Sequence, residues 1–215
     1  MGSSRAEIFD RIRASLASER AKKTGVELPP VLRSPASGGD GELFVERLLA
    51  LGVHVYRPEP GEDLGVVLAG VLDGLGAKLV AVSDGVGLSE AMPRFEGGRE
   101  VVTGEVPREQ LFRCDAGITR VQAAIAETGT LVLGTDAERH RLTSLVPEVH
   151  IAVVRASDVV PTLDEAMTQF GARPEGPPRC VTFITGPSRT ADIELQLVVG
   201  VHGPRELHVV FLSED

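Results

Sequence analysis

Aromatic residues are scarce in this chain: they make up 4% of its 215 residues, with one tyrosine and no tryptophan. A core without large rings must be built from Val, Leu, Ile and Ala, and that composition suits a sheet buried on both faces by helices. Cysteine is scarcer still. Cys114 and Cys180 are the only two, and they lie far apart with no Cys-x-x-Cys run. This excludes a zinc or iron–sulfur framework built from the chain's own thiols. The composition does not look secreted, so both are expected as buried thiols rather than a disulfide. No apolar run approaches the roughly 20 residues that a membrane span needs. The opening segment MGSSRAEIFDRIRASL mixes charges and has no continuous apolar stretch, so it is not a secretory signal, and a cytoplasmic protein is expected. Basic residues are also in deficit: 22 Lys and Arg face 31 Asp and Glu, a net charge of −9. That balance argues against nucleic acid and against an anionic membrane surface, while leaving room for a local anion site.

The first segment present, residues 3–22, has Ile8, Phe9, Ile12 and Leu16 at helical spacing and reads as an amphipathic helix. Pro29, Pro30 and Pro35 in the stretch Thr24–Gly41 mark a linker. The expected division is therefore a helix and linker over 1–38 and an α/β domain over 39–215. From Asp40 the pattern alternates. GELFVERLLALG is helical with Gly52 as its C-cap, VHVYRP a strand, EDLGVVLAGVLDGLG a helix, and AKLVAVSD a buried strand. Gly85–Gly98 reads as a loop with one helical turn, and EVVTG as another strand. Such alternation implies parallel strands joined by crossover helices. Further on, Val121–Ala126 and Leu131–Leu133 are two apolar runs, RHRLTSLVP a short helix, and VHIAVVRASDVV a strand. TLDEAMTQFGA is a helix capped by Thr162, CVTFIT a buried strand, and ELHVVFL the last strand.

Four constellations could carry chemistry. The first is GPSRTADIE, Gly186–Glu194, which leaves the strand CVTFIT. Gly186 gives a flexible backbone, Ser188 and Thr190 give hydroxyls, and Arg189 gives a guanidinium, a set that suits a carboxylate or phosphate. Placed beyond a strand's carboxyl end, the loop would stand where open α/β sheets bind ligands. Asp192 and Glu194 follow, in a helix or, by the alternation Ile193, Leu195, Leu197, Val199, in a strand. The same residue types also make a capped turn with Arg189 paired to an acid. The second is ETGT, Glu127, Thr128, Gly129 and Thr130, in which a glycine admits close approach and Glu127 could serve as nucleophile or general base, or simply occupy a solvated turn. The third is His202 in GVHGP, an accessible imidazole near a strand end. No histidine pair has the i, i+4 spacing of a helical metal site, and no metal centre is expected from dispersed residues such as His150 and His202; His208 reads as a structural histidine. The fourth is Arg139–Arg141 around His140, with Ser144, which could complete an anion pocket if the chain folds it over, but is read first as the solvated face of a short helix. No G-x-S-x-G elbow and no G-x-x-x-x-G-K-[ST] phosphate loop is present.

IAETGTLVL at Ile125–Leu133, RLTSLVPEVHIAVV at Arg141–Val154, and GPSRTADIELQLVVGVHGPRELHVV at Gly186–Val210 occur in this order. Together they closely resemble the LUD-domain family. The resemblance implies a three-layer α/β/α sandwich with a mostly parallel sheet, similar to the NagB/RpiA/CoA-transferase group, here with an N-terminal helical extension. It implies a subunit of a lactate-utilisation system that supports oxidation of L-lactate to pyruvate. Iron–sulfur clusters would then sit on partner proteins, with no cofactor in this chain. By fold-level analogy, Glu127 and the Ser188–Arg189–Thr190 loop would line a pocket for a small anion. Two other readings remain: a stand-alone CoA-transferase or ligase using Glu127, and a non-catalytic anion-binding regulatory module. A homo-oligomer is left open.

Overall fold

The computed structural model describes residues 7–11, 13–14, 40–84, 87–135, 140–173, 176–191, 197–199 and 203–213. The chain divides into two compact units, Met1–Arg33 and Ser34–Asp215. In the first, the described residues 7–11 and 13–14 are helical. No described helix is long and apolar enough to cross a membrane.

The second unit is organised by a six-stranded sheet whose strands all run parallel. Its members are β1 (His54–Tyr56), β2 (Leu79–Val82), β3 (Glu100–Thr103), β4 (Ala116–Arg120), β7 (Val149–Arg155) and β12 (Glu206–Leu212), in the order β1-β12-β7-β4-β2-β3. Helix α1 (Asp40–Ala50) leads into β1; parallel strands need crossovers, and the first are α2 (Leu64–Leu75) and α3 (Leu88–Phe95). Helix α2 starts where the Asp63 carboxylate accepts from the Val66 N–H, and stops at Gly76 in the left-handed region. Helix α3 replaces the expected loop. Leu88, Ala91 and Phe95 repeat at helical spacing and are buried, and this outweighs the glycine-rich flanks and Pro93 inside the helix. Gly65 lets α2 and α3 touch: a Cβ there would stand 2.5 Å from the Ala91 carbonyl oxygen.

Side-chain alternation in the sheet then sorts the core. On one face Leu68, Val71 and Leu72 of α2 and Phe95 of α3 pack on Val80, Ile118, Ile151 and Val153. On the other, Phe44, Val45 and Leu48 of α1 pack on Ala152, Val154, Val209 and Phe211. Each of these Val, Leu, Ile and Phe side chains contributes about 1.5–3 kcal/mol on burial. The short helix α4 (Arg108–Leu111) adds Leu111 beside buried Cys114 and Ala81.

A second sheet shares the α1 side. It holds β8 (Val159–Val160), β5 (Ala123–Ile125), β6 (Thr130–Gly134) and β9 (Val181–Ile184), in that order, with β5–β6 and β6–β9 antiparallel. The expected strand VHIAVVRASDVV is split by a 3₁₀ turn at Ala156–Asp158, which hands the chain from β7 in the large sheet to β8 in the small one. Helix α5 (Leu163–Gly171), capped by Thr162 as expected, covers the far face with Ala166 and Phe170. CVTFIT is not a buried strand. Its core, β9, is an edge strand, and Phe183 is 43% exposed. Cys180 is likewise only half-buried, and its Sγ accepts from Arg141 Nη1 at 3.0 Å.

At the 3₁₀ helix Arg141–Ser144 the chain lies directly on β4. A Cβ at Gly117 would meet the Thr143 carbonyl oxygen at 2.0 Å. Nearby on the sheet, His150 is buried with Nε2 2.8 Å from Thr119 Oγ1. Burial pulls its imidazole from 6.5 down to about 3.

Gly117→Ala is expected to destabilise the protein by about 3 kcal/mol or more in urea unfolding, because backbone cannot give way as a flexible side chain can. Gly74→Ala, at an exposed helical position with nothing within 4 Å, is expected to leave stability unchanged or raise it by up to about 1 kcal/mol. Between the ordinary pKa of 6.5 and about 3, the unfolded chain binds a proton at His150 that the folded chain does not. Stability therefore falls as pH drops through that window, by up to about 1.4 kcal/mol per pH unit from this residue. Urea midpoints measured from pH 7 to 4 should show His150→Gln losing part of that slope; superimposable curves would contradict the assignment.

Candidate functional site

Two loops named by the sequence converge on the last turn of α1. The first is the β5–β6 turn. Gly129 turns the chain at φ +65°, and its N–H donates to the Ile125 carbonyl at 3.0 Å. A side chain would not fit, since a Cβ there would lie 2.9 Å from Arg47 Cβ and 3.1 Å from the Leu48 nitrogen. From this turn, Thr128 Oγ1 lies 2.7 Å from Thr130 Oγ1, which lies 2.8 Å from Thr185 Oγ1. A chain of three hydroxyls thus ties ETGT to the end of β9.

The second loop follows β9. Gly186 (φ +78°) packs on Leu51, where a Cβ would stand 3.3 Å from Leu51 Cβ. Arg189 Nη2 donates to the Leu51 carbonyl at 2.7 Å. A cation at a helix C-terminus satisfies an orphan carbonyl and meets the negative end of the dipole. A guanidinium carries five donors, so this bond alone does not exhaust it. The Ser188 N–H donates to the Pro204 carbonyl at 2.9 Å. Arg189, Thr190 and Ala191 form β10, antiparallel to β11 (Leu197–Val199), so the element left open by the sequence is a strand pair. Asp192, Glu194 and His202 lie outside the described residues, as does Arg139.

The second loop borders an open cavity of about 410 Å³ whose wall includes Leu51, Ser144, Phe183, Thr185, Ser188 and Arg189, whereas Thr128, Gly129 and Thr130 are not in that wall. Its position corrects one expectation. Leu51 precedes β1, Leu145 precedes β7 and Pro204 precedes β12, so the cavity lies at the amino-terminal edge of the parallel sheet. The strand feeding the signature, β9, belongs to the antiparallel part of the small sheet, where the carboxyl-edge rule for parallel strands has no force. Ser144 is a second correction. It is 1% exposed rather than on a solvated face, because its 3₁₀ turn is pressed onto Gly117.

Glu127 goes elsewhere. Its N–H donates to the Pro161 carbonyl at 3.2 Å, and its Oε1 accepts from the Leu163 N–H at 3.2 Å. The carboxylate thus sits at the N-terminus of α5, where backbone donors and the dipole favour an anion. It is not part of the cavity wall.

At the carboxyl edge of the large sheet there is a second cavity, of about 610 Å³, beside Glu59, Glu62, Arg155, Ser157 and Ser213. No residue named by the sequence lines it. Its charges are mixed, one guanidinium against two carboxylates, whereas among the described residues the wall of the first cavity holds the Arg189 guanidinium and no carboxylate.

Comparison with known proteins agrees with this architecture. The LUD domain model matches residues 41–212. A lactate utilization protein C from Deinococcus radiodurans is 34% identical, with the match covering 96% of this chain and 94% of that one. A lactate utilization protein C from Bacillus subtilis is 30% identical, over 96% and 95% of the two chains. The crystal structure of a DUF162-family protein from Deinococcus radiodurans superposes with a TM-score of 0.64 at 29% identity, covering 83% of this chain and 99% of that one. The chain belongs to the LUD domain family.

Proposed function

We propose that this chain is a component of a lactate-utilisation system and that the cavity beside Arg189 takes a small carboxylate, L-lactate foremost. The observation that carries the reading is convergence. Segments from Leu51, Ser144–Leu145, Thr182–Arg189 and Gly203–Pro204, distant in sequence, line one space with a guanidinium and several hydroxyls. Lactate offers one carboxylate and one hydroxyl. A guanidinium with neighbouring serine and threonine hydroxyls matches both groups. Relatives named for lactate utilisation over nearly their full length support the assignment.

Oxidation of lactate releases two electrons, and the sequence shows no motif that would carry them. The proposal therefore assigns electron transfer to iron–sulfur partner proteins and substrate binding or partner organisation to this chain. Glu127 as a nucleophile has no support in the geometry, since its carboxylate is occupied at the start of α5.

In calorimetric titration, L-lactate is expected to bind saturably to the purified chain. Arg189→Ala should weaken that binding about tenfold or more, the loss typical of a charge-assisted contact, while the melting temperature shifts little. Equal binding by both proteins, or none by either, would remove the assignment. The purified chain alone is expected to oxidise no lactate, whereas capture from lactate-grown cells should bring down brown, iron-containing partners. Turnover by the isolated chain would overturn the division of labour.

A further inference from the structure

Parallel pairing brings together three side chains that the sequence scatters. His54 opens β1, and the register sets it directly beside His208 of β12. Neighbouring strands about 4.8 Å apart hold such residues on one face, and the two imidazoles stack with centroids 4.5 Å apart and planes at 23°. Glu206, two residues earlier on the same face, places Oε2 3.2 Å from His208 Nε2. On the other side of that ring, Nδ1 lies 3.0 Å from the Tyr56 hydroxyl. One donor atom from each of His54, Glu206 and His208 lies within 4.8 Å of the others.

We propose that His54, Glu206 and His208 bind a divalent transition-metal ion of the zinc type, with Tyr56 orienting the His208 ring. Two imidazoles and one carboxylate are a donor set that zinc accepts, whereas magnesium and calcium prefer oxygen alone. Three protein ligands leave a fourth position open. Exposed His54 and Glu206 put that position toward solvent, while His208 is anchored in the sheet at 3% exposure. When the Tyr56 oxygen accepts from Nδ1–H, the lone pair of Nε2 faces the Glu206 carboxylate. A cation bound there would take the place of the proton that otherwise joins Nε2 to the Glu206 carboxylate across 3.2 Å. Donors about 2.1 Å from a tetrahedral ion stand about 3.4 Å apart. The Glu206–His208 pair already has this spacing, and the exposed His54 ring supplies the remaining movement. None of the three residues lines the Arg189 cavity, so this site is independent of the lactate proposal.

The test uses the full, untagged chain stripped with a chelator, then titrated with Zn²⁺ by calorimetry and with Co²⁺ by visible absorption. One ion per chain is expected, with Co²⁺ developing the d–d bands of a low-coordinate nitrogen–oxygen site. His54→Ala and Glu206→Ala are exposed truncations that should keep the metal-free melting temperature and weaken binding at least about tenfold. Tyr56→Phe retains every ligand and should weaken it about 10–100-fold; no change would remove the positioning role of Tyr56. Absence of saturable binding, or affinity unchanged in both His54→Ala and Glu206→Ala, would overturn the site.

Discussion

The candidate site depends on the C-terminal turn of α1. Its buried side, Phe44, Val45 and Leu48, anchors the helix to the large sheet. Its end is then used as a backbone template. Gly129 fits against Arg47 and Leu48 because it lacks a side chain, Gly186 fits against Leu51, and Arg189 ties its guanidinium to the Leu51 carbonyl. Gly52, at φ +79°, ends the helix so that this carbonyl stays reachable. A Cβ at Gly52 would stand 3.0 Å from Arg189 Nη2. Two loops far apart in sequence, at Gly129 and Gly186, therefore have one common support. A shift in α1 would move both.

The parallel sheet offers two edges, and they differ in chemistry. At the carboxyl edge, where parallel α/β sheets usually bind ligands, the cavity mixes Arg155 with Glu59 and Glu62. At the amino edge, the small sheet and its outgoing loop build a wall that the large sheet alone could not supply. Arg189 stands there among serine and threonine hydroxyls. An anion binds more favourably where the nearest fixed charges are positive. That local difference matters on a chain whose net charge is −9.

What the sequence made legible was local. Helix α2 has its Asp63 cap and Gly76 stop, α5 has Thr162, and β12 has its apolar run, so these elements read directly from residues at short spacing. Gly186, Ser188 and Arg189 were singled out, and the structure gathers them at one cavity. What was hidden depends on pairing between distant segments. Apolar runs alone cannot tell that β9 pairs β6 at an edge rather than joining the large sheet. Nor can they show that the Thr143 backbone, next to Ser144, is pressed against Gly117. Glu127 looked reactive because its sequence neighbours are small; the groups that actually occupy it, Pro161 and Leu163, lie more than thirty residues away. His54 and His208 meet only through the β1–β12 register, a signal absent from any window of sequence.

The central claim is that a small carboxylate binds at the amino edge, held by the loop that α1 supports. Backbone amide shifts of ¹⁵N-labelled chain titrated with L-lactate test it most directly. The account predicts saturable shifts confined to Ser144, Leu145, Thr185, Gly186, Ser188, Arg189 and Gly203, around one cavity. Shifts centred instead on Glu62, Arg155, Ser157 and Ser213 at the carboxyl edge, or no shifts at all, would contradict it.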